Sequence, residues 1–207
     1  MSDIKINNIT DRSGSSGPVF AGISTVSTEA FMVMPSGPTE FRGGRGRGVF
    51  GGGDSNVMDY INIASAGNAT DFGDLRETER SRPYGLASAT RGIFAGGRDH
   101  PNYWSSIDYV TISSGGGSND FVGDLVQGGW SGSGASNNTR GLFIGGYVPS
   151  STTNFAGSVR NFKKIQFVEI ASTGVNAGTF GELTENGIRE CGALASPTRA
   201  VRLGGKT

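Results

Sequence analysis

What most restricts the fold of this chain is a recurrence. The segment Arg47-Gly48-Val49-Phe50-Gly51-Gly52 returns as Arg91-Gly92-Ile93-Phe94-Ala95-Gly96-Gly97 and as Arg140-Gly141-Leu142-Phe143-Ile144-Gly145-Gly146. A worn copy, Arg199-Ala200-Val201-Arg202-Leu203-Gly204-Gly205, follows near residue 200. The period is about 50 residues, a length that belongs to stacked supersecondary units. Three further landmarks keep their order inside each period. Residues 58–63 match 107–112 and 165–170, and residues 71–75 match 121–125 and 180–183. A run of small residues closes each period, at 86–90, 135–139 and 194–198.

Each landmark reads as a short strand. In Ile107-Asp108-Tyr109-Val110-Thr111-Ile112, alternation puts Ile107, Tyr109 and Thr111 on one face and Asp108, Val110 and Ile112 on the other. Apolar residues on both faces point to a sheet that is packed on both sides. The 36 glycines among 207 residues support many turns and no long helix, because glycine costs backbone entropy inside regular elements and is cheap where φ is positive. Four short strands per period is the size of a propeller blade. The fold class is therefore read as all-β: three four-stranded repeats, at about 47–90, 91–139 and 140–198, with a closing strand at 199–205. Three blades leave two exposed edges, so completion by oligomerisation is expected. A β-prism or a β-trefoil are the alternatives, since each also contains three four-stranded units.

An apolar strand ending in Gly-Gly at this period resembles the kelch propeller repeat. Residues 107–113, 67–75 and 87–97 together resemble the glycine-rich repeats of virion structural proteins of marine bacteriophages, of the cyanophage tail and fibre type. Residues 9–18, 22–25 and 35–37 are similar to a leader on such proteins. The resemblance implies a tail-, neck- or fibre-associated part of the virion, made in the host cytoplasm and partnered by other virion proteins and further copies of itself. It brings no catalytic residue and no cofactor. A carbohydrate-binding adhesin that recognises a host glycan, or a capsid decoration protein, are the alternatives.

Residues 1–46 differ in character from the repeats and are read as an extended docking arm and linker, with Phe31, Met32, Val33 and Met34 as the apolar stretch that docks. No secretion-signal pattern and no membrane-length apolar run stand in the sequence. With 18 basic and 18 acidic residues, there is no overall field to draw nucleic acid or an anionic membrane. Cys191 is alone, so an internal disulfide is excluded. No phosphate loop, nucleophile–base pair or dense acidic cage is present, and enzymatic activity is not expected. The recurring Asp71, Asp74, Asp120 and Asp124 are read as turn caps, ahead of a calcium site.

Two sets of residues remain as candidates. Arg47, Arg91, Arg140 and Arg199, with Gly52, Gly97, Gly146 and Gly205, are read as structural repeat positions, the arginines pairing with Asp74, Asp124 or Glu182 of a neighbouring repeat. His100, Tyr103, Trp104 and Trp130 sit in glycine-rich loops and are the candidates for contact with a partner or a glycan, because aromatic faces stack on sugar rings. Packing between blades is the competing role for the two tryptophans.

Overall fold

Short β-rich runs bounded by glycine pairs fold as short strands, and no helix occurs among the residues that the computed structural model describes, 46–148, 161–184 and 187–206. All of them belong to the unit Glu40–Thr207. The candidate docking residues Phe31, Met32, Val33 and Met34 lie outside the described residues. Strands β1 (Arg47–Gly51), β2 (Val57–Asn62) and β3 (Thr70–Asp74) form sheet I, in the order β1-β2-β3. Sheet II has the order β4-β5-β8-β9, from β4 (Tyr84–Ala87), β5 (Arg91–Ala95), β8 (Ser106–Thr111) and β9 (Asn119–Asp124). Between β5 and β8, a small hairpin of β6 (Arg98–Asp99) and β7 (Asn102–Tyr103) projects. Sheet III repeats sheet II with β10 (Ser133–Ser136), β11 (Arg140–Ile144), β12 (Lys164–Glu169) and β13 (Gly178–Glu182). Sheet IV is two-stranded, β14 (Gly192–Ala195) with β15 (Ala200–Leu203). All pairings are antiparallel.

The sheets are out of phase with the repeat as the arginines delimit it. The small-residue run that closes a period opens the next sheet: Ala87 pairs with Gly92, Ser136 with Gly141, and Ala195 with Ala200. The strands at Arg91, Arg140 and Arg199 are thus the second of their sheets, β1 at Arg47 opens the three-stranded sheet I, and residues 199–205 extend a fourth sheet instead of closing the third. The glycine doublet of the first copy also shifts by one. Gly51 pairs with Met58 as Ala95 pairs with Ile107, so Gly51 is a strand residue. The doublet is Gly52-Gly53, at φ 90° and 112°, matching Gly96-Gly97 at 60° and 99°. These glycines are needed. The Gly97 and Gly146 amides donate to the Gly129 and Ile188 carbonyls, at 2.8 and 2.7 Å, where the chain crosses to the next sheet.

Two apolar layers hold the sheets face to face. Met58, Phe72 and Leu75 of the sheet I repeat meet Phe94 and Val110 of sheet II, with Val49 and Tyr60 at the margin. On the other side of sheet II, Ile93, Ala95, Ile107 and Phe121 meet Phe143, Val168 and Ile170 of sheet III. Alternation along β5 explains this: Phe94 points back to sheet I and its neighbour Ile93 points forward to sheet III. A fully buried aliphatic or aromatic side chain contributes about 1.5–3 kcal/mol, so each layer stabilises both sheets that flank it. An irregular register recurs at the equivalent place in sheets I, II and III, between Met58 and Asp59, Ser106 and Asp108, and Ile165 and Gln166. Such bulges re-aim side chains, here Phe72 and Phe121 towards the following sheet.

Candidate interaction surfaces

The junction between consecutive sheets is built the same way twice. The arginine that heads β1 or β5 stacks on an aromatic ring of its own sheet and reaches forward. Arg47 lies 4.5 Å above Tyr60 and donates to the carbonyls of Ile112 and Ser113, at 3.1 and 3.0 Å. Arg91 lies 4.3 Å above Tyr109 and donates to the Ile170 carbonyl at 2.7 Å. The expected partners Asp74 and Asp124 are not the acceptors. A guanidinium presents several donors in one plane, and the carbonyls at the end of the third strand of the next sheet take them. Arg140 has no such strand ahead of it in sheet IV. It stacks on Phe167 at 5.0 Å and pairs with Glu169 of its own sheet at 2.9 Å, so Glu182 is not its partner either. Arg199 is exposed.

The loops behind the third strands complete each junction. The Gly116 amide donates to the Phe72 carbonyl at 2.6 Å and the Gly174 amide to the Phe121 carbonyl at 2.7 Å. These approaches require glycine opposite: a Cβ on Gly73 would lie 2.5 Å from the Gly116 carbonyl carbon, and one on Gly123 would fall against the Val175 carbonyl. At the equivalent Gly181 there is open space. Asp71 and Asp120 accept from the Gly73 and Val122 amides, at 3.1 and 2.8 Å, as turn caps. Among the described residues, no three His, Cys, Asp or Glu side chains converge as a metal site.

A polar knot sits inside the first junction. Asp108 on β8 is fully buried, and Arg80, also fully buried, holds its Nη1 3.0 Å from Asp108 Oδ2. Arg76 contributes Nη1 at 3.2 Å to Oδ1, and Ser118 Oγ donates to Oδ2 at 3.0 Å. The other nitrogens of Arg80 donate to the Gly96 and Ser106 carbonyls, each at 2.6 Å. Burial pulls the Arg80 guanidinium below its usual pKa, while the charges of Asp108 and Glu77 hold it up. The signal was visible as one charge in the middle of the apolar strand 107–112. In sheet III the same place holds Gln166, buried and bonded in both directions to the Gln127 backbone, at 2.8 and 3.0 Å. In sheet I it is Asp59, which is exposed.

The aromatic candidates are placed unequally. His100 is exposed at the tip of the β6–β7 hairpin, and Tyr103 and Trp104 are half-buried at its base. Trp130 is not on an exposed loop: it is 8% accessible, with Arg98 and Arg82 stacked over its ring at 4.1 and 5.0 Å and Tyr147 edge-on at 5.4 Å. Two positive groups and a ring leave no face for a sugar, so Trp130 packs.

The larger surfaces are the outward faces of the first and last sheets. On sheet I, Phe50 is 57% and Ile63 70% accessible, whereas their counterparts Phe94 and Phe143, Ile112 and Ile170 are 7% or less. On sheet IV, Leu194, Val201 and Leu203 are each more than half exposed. Against the other face of sheet IV, a groove of about 440 Å³ runs between sheets III and IV, lined on the sheet III side by Leu142, Ile144, Ile165, Phe180 and Leu183. No protein-family model matches this sequence, and a search of curated proteins found no match.

Proposed function

We propose that this chain is a structural component of a phage virion, tail-, neck- or fibre-associated, that acts by assembly and not by catalysis. Its sheets are read as kelch-like propeller blades whose first strands, β4, β10 and β14, lie side by side near an axis. The observation that carries the assembly role is the pair of open apolar sheet faces, each equivalent to a face that is buried inside the chain. Exposed apolar patches of this kind mark protein–protein contact. The resemblance of residues 107–113, 67–75 and 87–97 to marine-phage virion repeats supplies the setting, and residues 1–46 supply the docking arm. Partners are other virion proteins and further copies. The test is incorporation. Antibodies raised against the purified chain should label intact particles from an infected lysate; label confined to the soluble fraction would overturn the reading. Deleting residues 1–46 should abolish incorporation and leave the far-ultraviolet circular dichroism of the β fold unchanged.

A glycan-binding adhesin remains the second reading, favoured by the β6–β7 hairpin, which presents His100 beside Tyr103 and Trp104. On that reading Trp104→Ala removes binding on a glycan array and leaves assembly intact. Equal binding by the variant eliminates it.

A further inference from the structure

We propose that the open face of sheet I is covered by the open face of sheet IV from a second copy of this chain, in a head-to-tail contact that reproduces the inner half of the junction between consecutive sheets. This deepens the assembly reading above and rests on it.

Three correspondences carry it. The first is the receiving face. Phe50, Ile61 and Ile63 occupy the places of Phe94, Val110 and Ile112 in sheet II and of Phe143, Val168 and Ile170 in sheet III. Both later sets are buried against the sheet before them. The second is the donating face. Leu194 and Val201 are a cross-strand pair, as Leu86 and Ile93 are in sheet II, and Leu203 stands where Ala95 stands. In sheet II that set covers Phe143, Val168 and Ile170. The two exposed surfaces are therefore the two sides of a fit the chain already makes twice. The third is polar. Arg47 and Arg91 donate to the carbonyls of Ile112 and Ile170 in the next sheet. Arg199 holds their place in sheet IV, and Ile63 holds the place of Ile112 and Ile170 in sheet I. The Arg199 guanidinium of one copy donates to the Ile63 carbonyl of the next.

The second copy is the occupant that these matches select, because it brings apolar shape and hydrogen-bond donor together in one register. The contact is heterologous: each copy uses one face and leaves its other face open. Such contacts continue into rings or filaments and do not stop at a pair. With two strands on one side, the contact is small, in the range of weak and transient interfaces below about 1,200 Å².

Sedimentation velocity on the full chain over a wide concentration range tests this, with Ile63→Asp and Val201→Asp as variants at exposed positions and circular dichroism as the check on folding. The unmodified chain should pass from monomer to species larger than dimer as concentration rises. Each variant alone should be monomeric. An equimolar mixture should form dimers and nothing larger, because each variant retains the face the other has lost. Arg199→Ala should weaken association about tenfold, the effect of one charged hydrogen bond. A monomer at every concentration would overturn the proposal and would mean that these faces are covered from within the chain or by another protein. Self-association retained by Val201→Asp, or a mixture that stays monomeric, would overturn it too. Particle labelling is read separately: a monomer that still labels virions removes this contact and leaves the virion role standing.

Discussion

Asp108→Asn is expected to lower the unfolding free energy by about 4 kcal/mol, because removing one partner of a buried ion pair leaves the other charge buried without its direct counter-ion. Arg80 is the group left behind. It is fully buried, its remaining acceptors are the Gly96 and Ser106 carbonyls and the Ser106 hydroxyl, which carry no charge, and the Glu77 carboxylate acts on it only from beyond that hydroxyl. Denaturant titration followed by tryptophan fluorescence reads the loss. Asp59→Asn is the internal control at the equivalent strand position, where the carboxylate is exposed, and should change stability by less than about 0.5 kcal/mol. If the two variants were equally mild, the Arg80–Asp108 pair would not be holding sheets I and II together. Replacing both members with apolar residues should recover part of the loss, since the desolvation of two charges goes with them. The recovery stays partial, as the two carbonyls lose their donor.

Gly123→Ala should cost about 2–3 kcal/mol and Gly181→Ala close to nothing, although the two glycines are the same residue of the repeat. Neither needs a positive φ, so only space separates them. A Cβ on Gly123 meets the Val175 carbonyl and the Asn176 amide, which are backbone and cannot step aside cheaply. A Cβ on Gly181 meets nothing within 4 Å. At about 3 °C per kcal/mol for a domain of this size, thermal unfolding should separate the variants by about 6–9 °C. Equal melting temperatures would mean that sheet II can move away from the loop of sheet III without loss.

The repeat was legible because it is written in residue types that only certain backbone positions accept. Gly96-Gly97 and Gly145-Gly146 sit at positive φ, and the strand 107–112 alternates as a strand must. The all-β class followed from those positions. The phase of the sheets did not, because sequence periodicity has no natural origin: Leu86 to Thr90 reads equally well as an end or as a beginning. Only the pairing of β4 with β5 decides it. The partners of Arg47 and Arg91 were hidden for another reason. Their acceptors are backbone carbonyls more than sixty residues away, and a carbonyl leaves no mark in a sequence. Trp130 was misplaced because glycine neighbours suggest an exposed loop, whereas Gly129 and Gly132 are there to let the chain pass close to Phe162 and Tyr84. The open faces of sheets I and IV are likewise invisible in residue identity, since Phe50 and Phe143 are the same residue in the same repeat position.

Arg82, Ser131 and Glu190 hold φ near 52°, 59° and 54° and form a rail of main-chain bonds, Ser131 N to Arg82 O at 3.1 Å and Glu190 N to Ser131 O at 2.6 Å. Each rung joins a sheet only to its neighbour, so protection against amide hydrogen exchange should follow a chain of nearest-neighbour couplings. Sheet II, flanked on both sides, should exchange slowest, and its amides should report the opening of the whole array. Sheet I and the two-stranded sheet IV should exchange through local fraying at lower cost. The same rail limits how far fraying of sheet IV spreads, because opening that sheet breaks the Ser131–Glu190 rung and leaves the Arg82–Ser131 rung intact.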